Sequence, residues 1–407
     1  MVKEIAILGA GPAGVMAALQ AVKTGARVHL FEANTRIGKK LMVTGSGKCN
    51  ITNLQAAAPL YDTDDEQVLS SILDQLSPTD FREVLAAWGI FTSSSADGWV
   101  YPLSLVAGNV VQLLETHLLQ AGVVIHYAAQ VTDIRKEQDV FVLSHTRHDA
   151  PSHFPLLCVA TGGKAMPDLG SDGKLFPILK KLGHQLVPVA PALAPITFED
   201  KTLRSLDGVR LDVETSLWQD ERCIKRNLGN AIFTSWGMNG PAVMNLSHLL
   251  SSSPGSKVQL KIDFLHQYTE QARLFLAANR TSQEKLPVLL GGFLHQKISS
   301  AIGKKAGLDI DSPLSALKPQ AIERFFHYLT HYTVSPTGTR GFKYAQLSSG
   351  GIPLGEVKNK TLESRVVDGL YIAGEVLNVV GPCGGFNLHW AFSSGYAVGQ
   401  AMAERAR

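Results

Sequence analysis

Cysteine is scarce in this chain. Cys49, Cys158, Cys223 and Cys383 are the only four in 407 residues, and no two form a CxxC pair. No Cys/His spacing matches a zinc site, so no metal is expected. Four thiols without a disulfide framework fit a reducing compartment, and a cytoplasmic location is expected. A strand beginning at Ile5 leaves no room for a signal peptide. Long apolar runs are also missing. Stretches such as Leu286–Leu294 fall far short of the roughly 20 residues that cross a bilayer, so no membrane association is expected. There is no Lys/Arg run or basic tail. The net charge of +3 permits an anionic partner without demanding one. Internal repeats and low-complexity segments are absent. A composition of 45% hydrophobic and 18% charged residues then describes an ordinary globular enzyme of two or three domains.

What is present begins with glycine. Ile5–Leu8 reads as an apolar strand, followed by Gly9-Ala10-Gly11-Pro12-Ala13-Gly14 and a helix from about Pro12 to Thr24. Small residues such as Ala17, Ala18 and Ala21 keep that helix slim enough to pack on a sheet. Arg27–Phe31 is the second strand, with Glu32 at its end. GxGxxG alone is weak. Between a strand and a helix, with an acid closing the next strand, it reads as a dinucleotide site. The glycines let backbone approach a pyrophosphate at the helix N-terminus, and Glu32 accepts hydrogen bonds from ribose hydroxyls.

A second, distant segment turns the dinucleotide into FAD. Ala160-Thr161-Gly162-Gly163 ends an apolar strand, where flavoproteins of the glutathione-reductase superfamily bring a second strand against the cofactor. Leu370–Gly374 is another buried strand and ends in Glu375, the position of the superfamily's ribityl-binding acid. Gly384-Gly385 then opens the last helix, from about Asn387 to the C-terminus. Its N–H groups suit the flavin N1–C2=O edge, which gains negative charge on reduction.

The expected fold is α/β. A Rossmann-like FAD-binding domain of glutathione-reductase type is interrupted by an inserted β-barrel-like domain and a helical subdomain. The FAD domain takes residues 1–190 and 340–407. Pro188, Pro191 and Pro195 mark a boundary, and alternation in Val209–Val213 and Val258–Ile262 predicts the β insert over 191–265. Residues 266–339 read as the helical insert, with Leu274, Leu276, Leu286, Leu289, Leu290, Phe325, Phe326 and Leu329 as its core.

The chain resembles the BaiN/YhiN-like (RdsA-like) NAD(P)/FAD-dependent flavoproteins. The resemblance rests on Gly9–Gly14, Gly38–Leu41 through Gly45–Asn53 (GSGKCNITN), Ala160–Pro167, Gly237–Val243, Gly350–Ile352, Gly369–Glu375 and Gly384–Ser394. These motifs run from end to end. The resemblance implies electrons from NADH or NADPH and reduction of a C=C bond conjugated to a carbonyl. The substrate is a steroid (bile-acid) enone in one branch and a ribosomal RNA uridine, giving dihydrouridine, in another. One departure stands out: Gly381-Pro382-Cys383 precedes the Gly-Gly turn where a small or apolar residue is expected.

Expected cofactor contacts are Gly9, Gly11, Pro12, Ala13, Gly14, Glu32, Lys39, Lys40, Leu41, Gly47, Cys49, Asn50, Val131, Thr161, Gly162, Gly374, Glu375, Gly385, Asn387 and Leu388. Lys39 and Lys40 either touch the pyrophosphate or are solvated. Asn387 is positioned for the pyrimidine edge of the flavin. The reaction needs a general acid to protonate carbon. Cys49 is the first candidate, with Lys48 beside it to stabilise a thiolate, or it is a small residue packed under the FAD. Cys383 is the second, or an inert turn residue. His389 is the third, or a structural donor. Lys343 and Tyr344 are candidates for the substrate side. Ribosomal RNA would meet Lys201, Arg204, Arg210, Arg222, Lys225 and Arg226, with Trp218 and Trp236 as stacking faces, unless these form an ordinary charged surface over buried tryptophans. The preferred substrate is a uridine in ribosomal RNA. The alternatives are a small-molecule enone, an oxidase passing electrons to oxygen, and a non-catalytic flavoprotein.

Overall fold

The computed structural model describes residues 3–250 and 257–407. Residues 1, 2 and 251–256, included in the ranges 1–190 and 191–265 above, lie outside the described residues. The chain divides into two compact units, residues 1–191 with 346–407, and residues 192–345.

The first unit is built on a five-stranded parallel sheet. Its strands are β1 (Glu4–Leu8), β2 (Arg27–Phe31), β3 (Val124–His126), β4 (Leu156–Val159) and β5 (Leu370–Ile372), in the spatial order β5-β4-β1-β2-β3. The register pairs Ile5 with Val28 on one side of β1 and with Leu156 on the other. Four of the five β1 residues are fully buried, as expected for a strand covered on both faces. Helix α1 (Pro12–Ala21) follows β1, and Gly25 ends its last turn with φ +84°. The sheet gains its last strand from the far end of the chain, so the unit is discontinuous.

Helix α2 (Phe386–Ala406) closes this unit against α1. A Cβ on Gly395 would lie 2.2 Å from Ala13 O, and one on Gly399 would lie 2.5 Å from Ala17 O. Only glycine permits that approach. The pairs 13:395 and 17:399 advance together, so the two helices run parallel. Helices at Glu66–Leu73, Pro78–Ala87 and Ala107–Gln120 pack on the same core. The hairpin of Val131–Glu137 and Val140–His145 carries a third strand, His148–Phe154. Pro151 within it has no N–H, and a strand with proline belongs at a sheet edge, as here.

The second unit has a seven-stranded antiparallel sheet. Its order is Tyr332–Val334, Val258–Asp263, Arg210–Gln219, Arg222–Thr234, Gly237–Asn239, Ile196–Phe198, Pro336–Thr339. The two edge strands are separated in sequence by Ser335 alone. The sheet therefore curls until its edges meet, as in a barrel. The helices Thr269–Ala278, Gln296–Lys305 and Pro319–Thr330 share one hydrophobic core with these strands. This corrects the division at residue 265. A half-buried sheet and amphipathic helices each need a partner for their apolar face, and here they cover each other. Leu274 is also corrected. It is 69% exposed, because Ala272 and Leu276, one helical turn apart, take the core face.

Among the described residues no helix is long and apolar enough to cross a membrane, and no group of His, Cys, Asp and Glu is arranged to hold a metal ion.

Candidate functional site

The three glycines of the first turn do different work. Gly9 has φ +95°, its N–H donates to Phe31 O at 2.8 Å, and a Cβ there would lie 2.6 Å from Ala160 O. A Cβ on Gly14 would lie 1.8 Å from Gly9 O. Both are glycine because the protein itself fills the space. Gly11 is different. Its φ of −78° suits any residue, and a Cβ would meet no protein atom within 4 Å. The open space at Gly11 faces the N-terminus of α1, which has no side-chain cap and carries Pro12 in its first turn. Uncapped N–H groups and a positive dipole end favour an anion at this point.

Glu32 is 8% exposed, and its carboxylate is held in place. Oε2 accepts from Ala10 N at 2.9 Å, and Oε1 accepts from Asn34 N at 2.8 Å and Asn34 Nδ2 at 2.7 Å. A carboxylate has about four acceptor positions, so Oε2 keeps one for an outside hydroxyl. Ala129 N donates to Glu32 O at 2.8 Å, which lays the segment leading into Val131 alongside the acid. Lys39 Nζ donates to Asp168 O at 3.0 Å and Asn34 Oδ1 at 3.3 Å, tying the loop after Met166 to the Glu32 corner. Lys39 is thus tied to the Glu32 corner while keeping part of its surface in solvent. Gly162, at the Thr161-Gly162 turn, lies against Ser171, whose buried hydroxyl has no protein partner among the described residues.

Glu375 sits at the end of β5. Its Oε1 accepts from Ser348 N at 2.8 Å and Ser348 Oγ at 3.0 Å, while Oε2 pairs with Lys40 Nζ at 2.7 Å. Lys40 therefore meets the late acid. The preceding Gly374 is locked by α2: its N–H donates to Ser394 Oγ at 2.9 Å, and Trp390 Nε1 donates to its carbonyl at 3.1 Å. That is a local reason for the Trp390-Ala391-Phe392-Ser393-Ser394 sequence.

The loop from Leu41 through Gly47 to Asn53 meets the start of α2. A Cβ on Gly385 would lie 2.3 Å from Thr52 O, and Asn53 Nδ2 donates to Gly384 O at 2.9 Å. The Asn50 amide, oriented to satisfy both ends, donates to Val100 O and Thr52 O at 3.1 Å. Tyr61 Oη donates to Phe386 O at 2.9 Å. The N-terminus of α2 has no side-chain cap. Leu388 packs on the core. Asn387 requires a correction. Its Nδ2 donates to Gly381 O at 2.8 Å and Pro382 O at 3.3 Å, and its Oδ1 accepts from Gly381 N at 2.8 Å. It clamps the Gly381–Cys383 turn, leaving no amide proton for a ligand.

Two catalytic candidates are also corrected. Cys49 is 0% exposed, in a left-handed backbone conformation with φ +60°. Burial pushes its thiol up to about 12, opposed only by a hydrogen bond with Thr44, and exposed Lys48 has no part in it. A thiol so enclosed is a packing residue. His389 is also 0% exposed. Its Nδ1 bonds Thr52 Oγ1 at 2.9 Å, and Nε2 lies 3.5 Å from Ser393 Oγ. Burial lowers its pKa to about 4, which keeps it neutral and structural. Cys383 is partly buried, with its thiol also pushed up to about 12 by burial.

The His389 value has a consequence for stability. The unfolded chain takes up this proton as pH falls through 6.5, and the folded protein resists until about 4. Stability contributed by neutral His389 is therefore complete above pH 6.5 and falls between 6.5 and 4, by up to about 3 kcal/mol. His126, also lowered to about 4, adds to the same acid limb. Urea unfolding at pH 7.5 and pH 5 is expected to give a steep loss that His389→Gln makes shallower. An unchanged slope in the variant would rule out the buried neutral ring as its source.

The arrangement fits an extended dinucleotide. It offers an open anion position at the N-terminus of α1, an oriented acid beside it, a second acid with its lysine at β5, and a second uncapped helix end. Residues 3–401 match the family described as HI0933-like protein Rossmann domain. The chain belongs to the HI0933-like family. It is a flavin-dependent oxidoreductase, as that membership and the named reductases among its relatives establish. It is 33% identical over 411 residues to a 3-dehydro-bile acid delta(4,6)-reductase of Clostridium scindens, covering 99% of each chain. It is 28% identical over 410 residues to a ribosomal RNA dihydrouridine synthase of Haemophilus influenzae, again covering 99% of each. Among solved structures, a 3-ketosteroid delta1-dehydrogenase from Sterolibacterium denitrificans superposes with a TM-score of 0.52 at 12% identity, over 98% of this chain and 99% of that one. That likeness shows the fold alone.

The sequence reading missed Asn34, Ser348 and Tyr61, and it quoted Trp390 and Ser394 within a motif without giving either a contact. Asn34 was legible, as an amide two residues after the acid it bonds. Ser348 was not, because it reaches Glu375 only through the tertiary fold.

Proposed function

We propose that the protein takes electrons from NADH or NADPH and reduces a C=C bond conjugated to a carbonyl, with uridine in ribosomal RNA as its preferred substrate and dihydrouridine as the product. The observation that carries the cofactor part is the overhang of α2. With Gly395 against Ala13, eight residues of α2 extend beyond the start of α1, about 12 Å at 1.5 Å per residue. Two uncapped, parallel helix N-termini are thus offset along one line. The α1 end would take the pyrophosphate at Gly11, and Glu32 the adenosine ribose. Glu375, oriented by Lys40 and Ser348, would take the ribityl hydroxyls, and the α2 end the pyrimidine edge of the ring.

FAD bound there and reduced by the nicotinamide would supply the hydride for the β carbon of the conjugated system. The chain must then deliver a proton to the α carbon. Of the three sequence candidates, Cys49 and His389 are enclosed, and Cys383 alone keeps partial exposure. Uracil C5=C6 conjugated to C4=O and a steroid enone pose the same chemical problem, which is why relatives named for each are compatible with one site. An RNA substrate places the protein in the cytoplasm. The enone reading is favoured by the 33% identity to the bile-acid relative.

The test is anaerobic. FAD-loaded protein is reduced with NADPH or NADH and then mixed with ribosomal RNA or with a steroid enone. Flavin reoxidation by RNA, with dihydrouridine formed, is the expected result. Reoxidation by the enone alone would overturn the RNA reading, and reoxidation by oxygen alone would overturn both.

A further inference from the structure

Three charged surfaces of residues 192–345 compete as an RNA-facing element. On the hairpin Arg210–Gln219 and Arg222–Thr234, Arg226 is paired with Glu214 at 3.2 Å, and Asp212 and Glu214 alternate with the basic residues. The Trp218 ring is covered by Lys261, whose Nζ lies 3.5 Å from the ring centroid. Arg226 and the Trp218 ring are thus already engaged within the chain. The third surface differs. The Arg340 guanidinium lies 4.5 Å from the Trp236 ring centroid and 3.7 Å from that of Tyr344, so one planar cation is stacked between two aromatic rings. Neither Arg340 nor the exposed Lys343 forms an ion pair with a carboxylate among the described residues.

The segment is built to hold this stack. Arg340 N donates to Pro195 O at 3.0 Å, Gly341 turns the chain with φ +77°, and Tyr344 N closes the turn on Gly341 O at 3.1 Å. Tyr344 is 43% exposed. The guanidinium lies over one of its faces, and the residue as a whole stays open to solvent.

We propose that the free face of Tyr344, backed by Arg340 and Trp236, is a stacking platform for a base of single-stranded RNA, with Lys343 and Arg340 facing the adjoining phosphates. This rests on the ribosomal RNA reading above and adds the residues that would hold the strand. An exposed aromatic face with two uncompensated cations suits a base joined to phosphate, because stacking supplies sequence-tolerant affinity and the cations neutralise the backbone. A bile acid offers one carboxylate for the two cations and no planar base for the ring.

The experiment uses FAD-loaded protein and ribosomal RNA extracted from cells lacking it. Tyr344→Ala is expected to weaken RNA binding by about 5- to 150-fold, while Tyr344→Phe keeps wild-type affinity. Lys343→Gln is expected to lower the slope of log affinity against log salt by about 0.7. Flavin content and reduction by NAD(P)H should stay unchanged in all three, which excludes misfolding. Wild-type RNA affinity in Tyr344→Ala, with dihydrouridine still formed by the wild type, overturns the platform and leaves the function intact. A wild type that neither binds ribosomal RNA nor forms dihydrouridine overturns both. A defect in Tyr344→Ala confined to enone turnover overturns the platform as an RNA site.

Discussion

Gly11→Ala is expected to leave the apoprotein as stable as wild type and to weaken FAD binding by about 100-fold or more. The first half follows from the space around the residue. An added Cβ meets no protein atom within 4 Å, and a φ of −78° is ordinary for alanine. The second half follows if that space takes the pyrophosphate, as proposed above. Lifting a pyrophosphate off the α1 N-terminus by one methyl group breaks charge-assisted hydrogen bonds worth roughly 1.5–3 kcal/mol each, and two of them suffice. Gly14→Ala should behave in the opposite way. Its Cβ would lie 1.8 Å from Gly9 O, so strand and helix must separate, and the apoprotein should lose about 3 kcal/mol or more. Thermal unfolding of both apoproteins, with FAD titration followed by flavin fluorescence, separates the cases. Wild-type FAD affinity in Gly11→Ala would place the pyrophosphate elsewhere.

The contrast between these glycines also marks how far the sequence could be read. GxGxxG with Glu32 was legible because strand, turn and helix are local and their spacing is dictated by backbone geometry. The return of the chain in Leu370–Glu375 was legible for the same reason: an apolar strand ending in glycine and an acid is a local pattern. The direction of individual side chains was not. Asn387 and His389 occupy the first turn of α2, two residues apart, and therefore face different ways. One bonds back to Gly381, and the other enters the core against Thr52. Which face of α2 meets which neighbour depends on Gly395 and Gly399 seating it on α1, some three hundred and eighty residues away in sequence. Cys49 looked reactive beside Lys48. Its full burial, however, arises only in the folded chain, and no local pattern announces it. The separate helical insert failed for a related reason. Amphipathic helices declare an apolar face but not what will cover it, and here the curled sheet does.

Breaking the Lys40–Glu375 pair is expected to give the second large effect, and its two parts can be separated. Glu375→Leu removes the acceptor of three hydrogen bonds at once. It leaves the Lys40 ammonium partly buried without its partner, and the Ser348 N–H without an acceptor. A loss of about 2–3 kcal/mol of apoprotein stability follows, together with loss of FAD. Lys40→Met in the same chain removes the stranded charge. A partly buried pair replaced on both sides by apolar groups of similar size typically comes close to neutral, so the double variant should regain most of that stability. FAD affinity should not return with it. If Glu375 binds the ribityl hydroxyls, an apolar pair leaves those hydroxyls unanswered, at a cost of tenfold or more that no repacking restores. Recovery of stability without recovery of flavin would therefore assign the pair two roles, with Lys40 orienting and Glu375 binding. Recovery of both would reduce it to a strut beneath the cofactor and move the ribityl contact to the neighbouring backbone of Gly163 or Gly374.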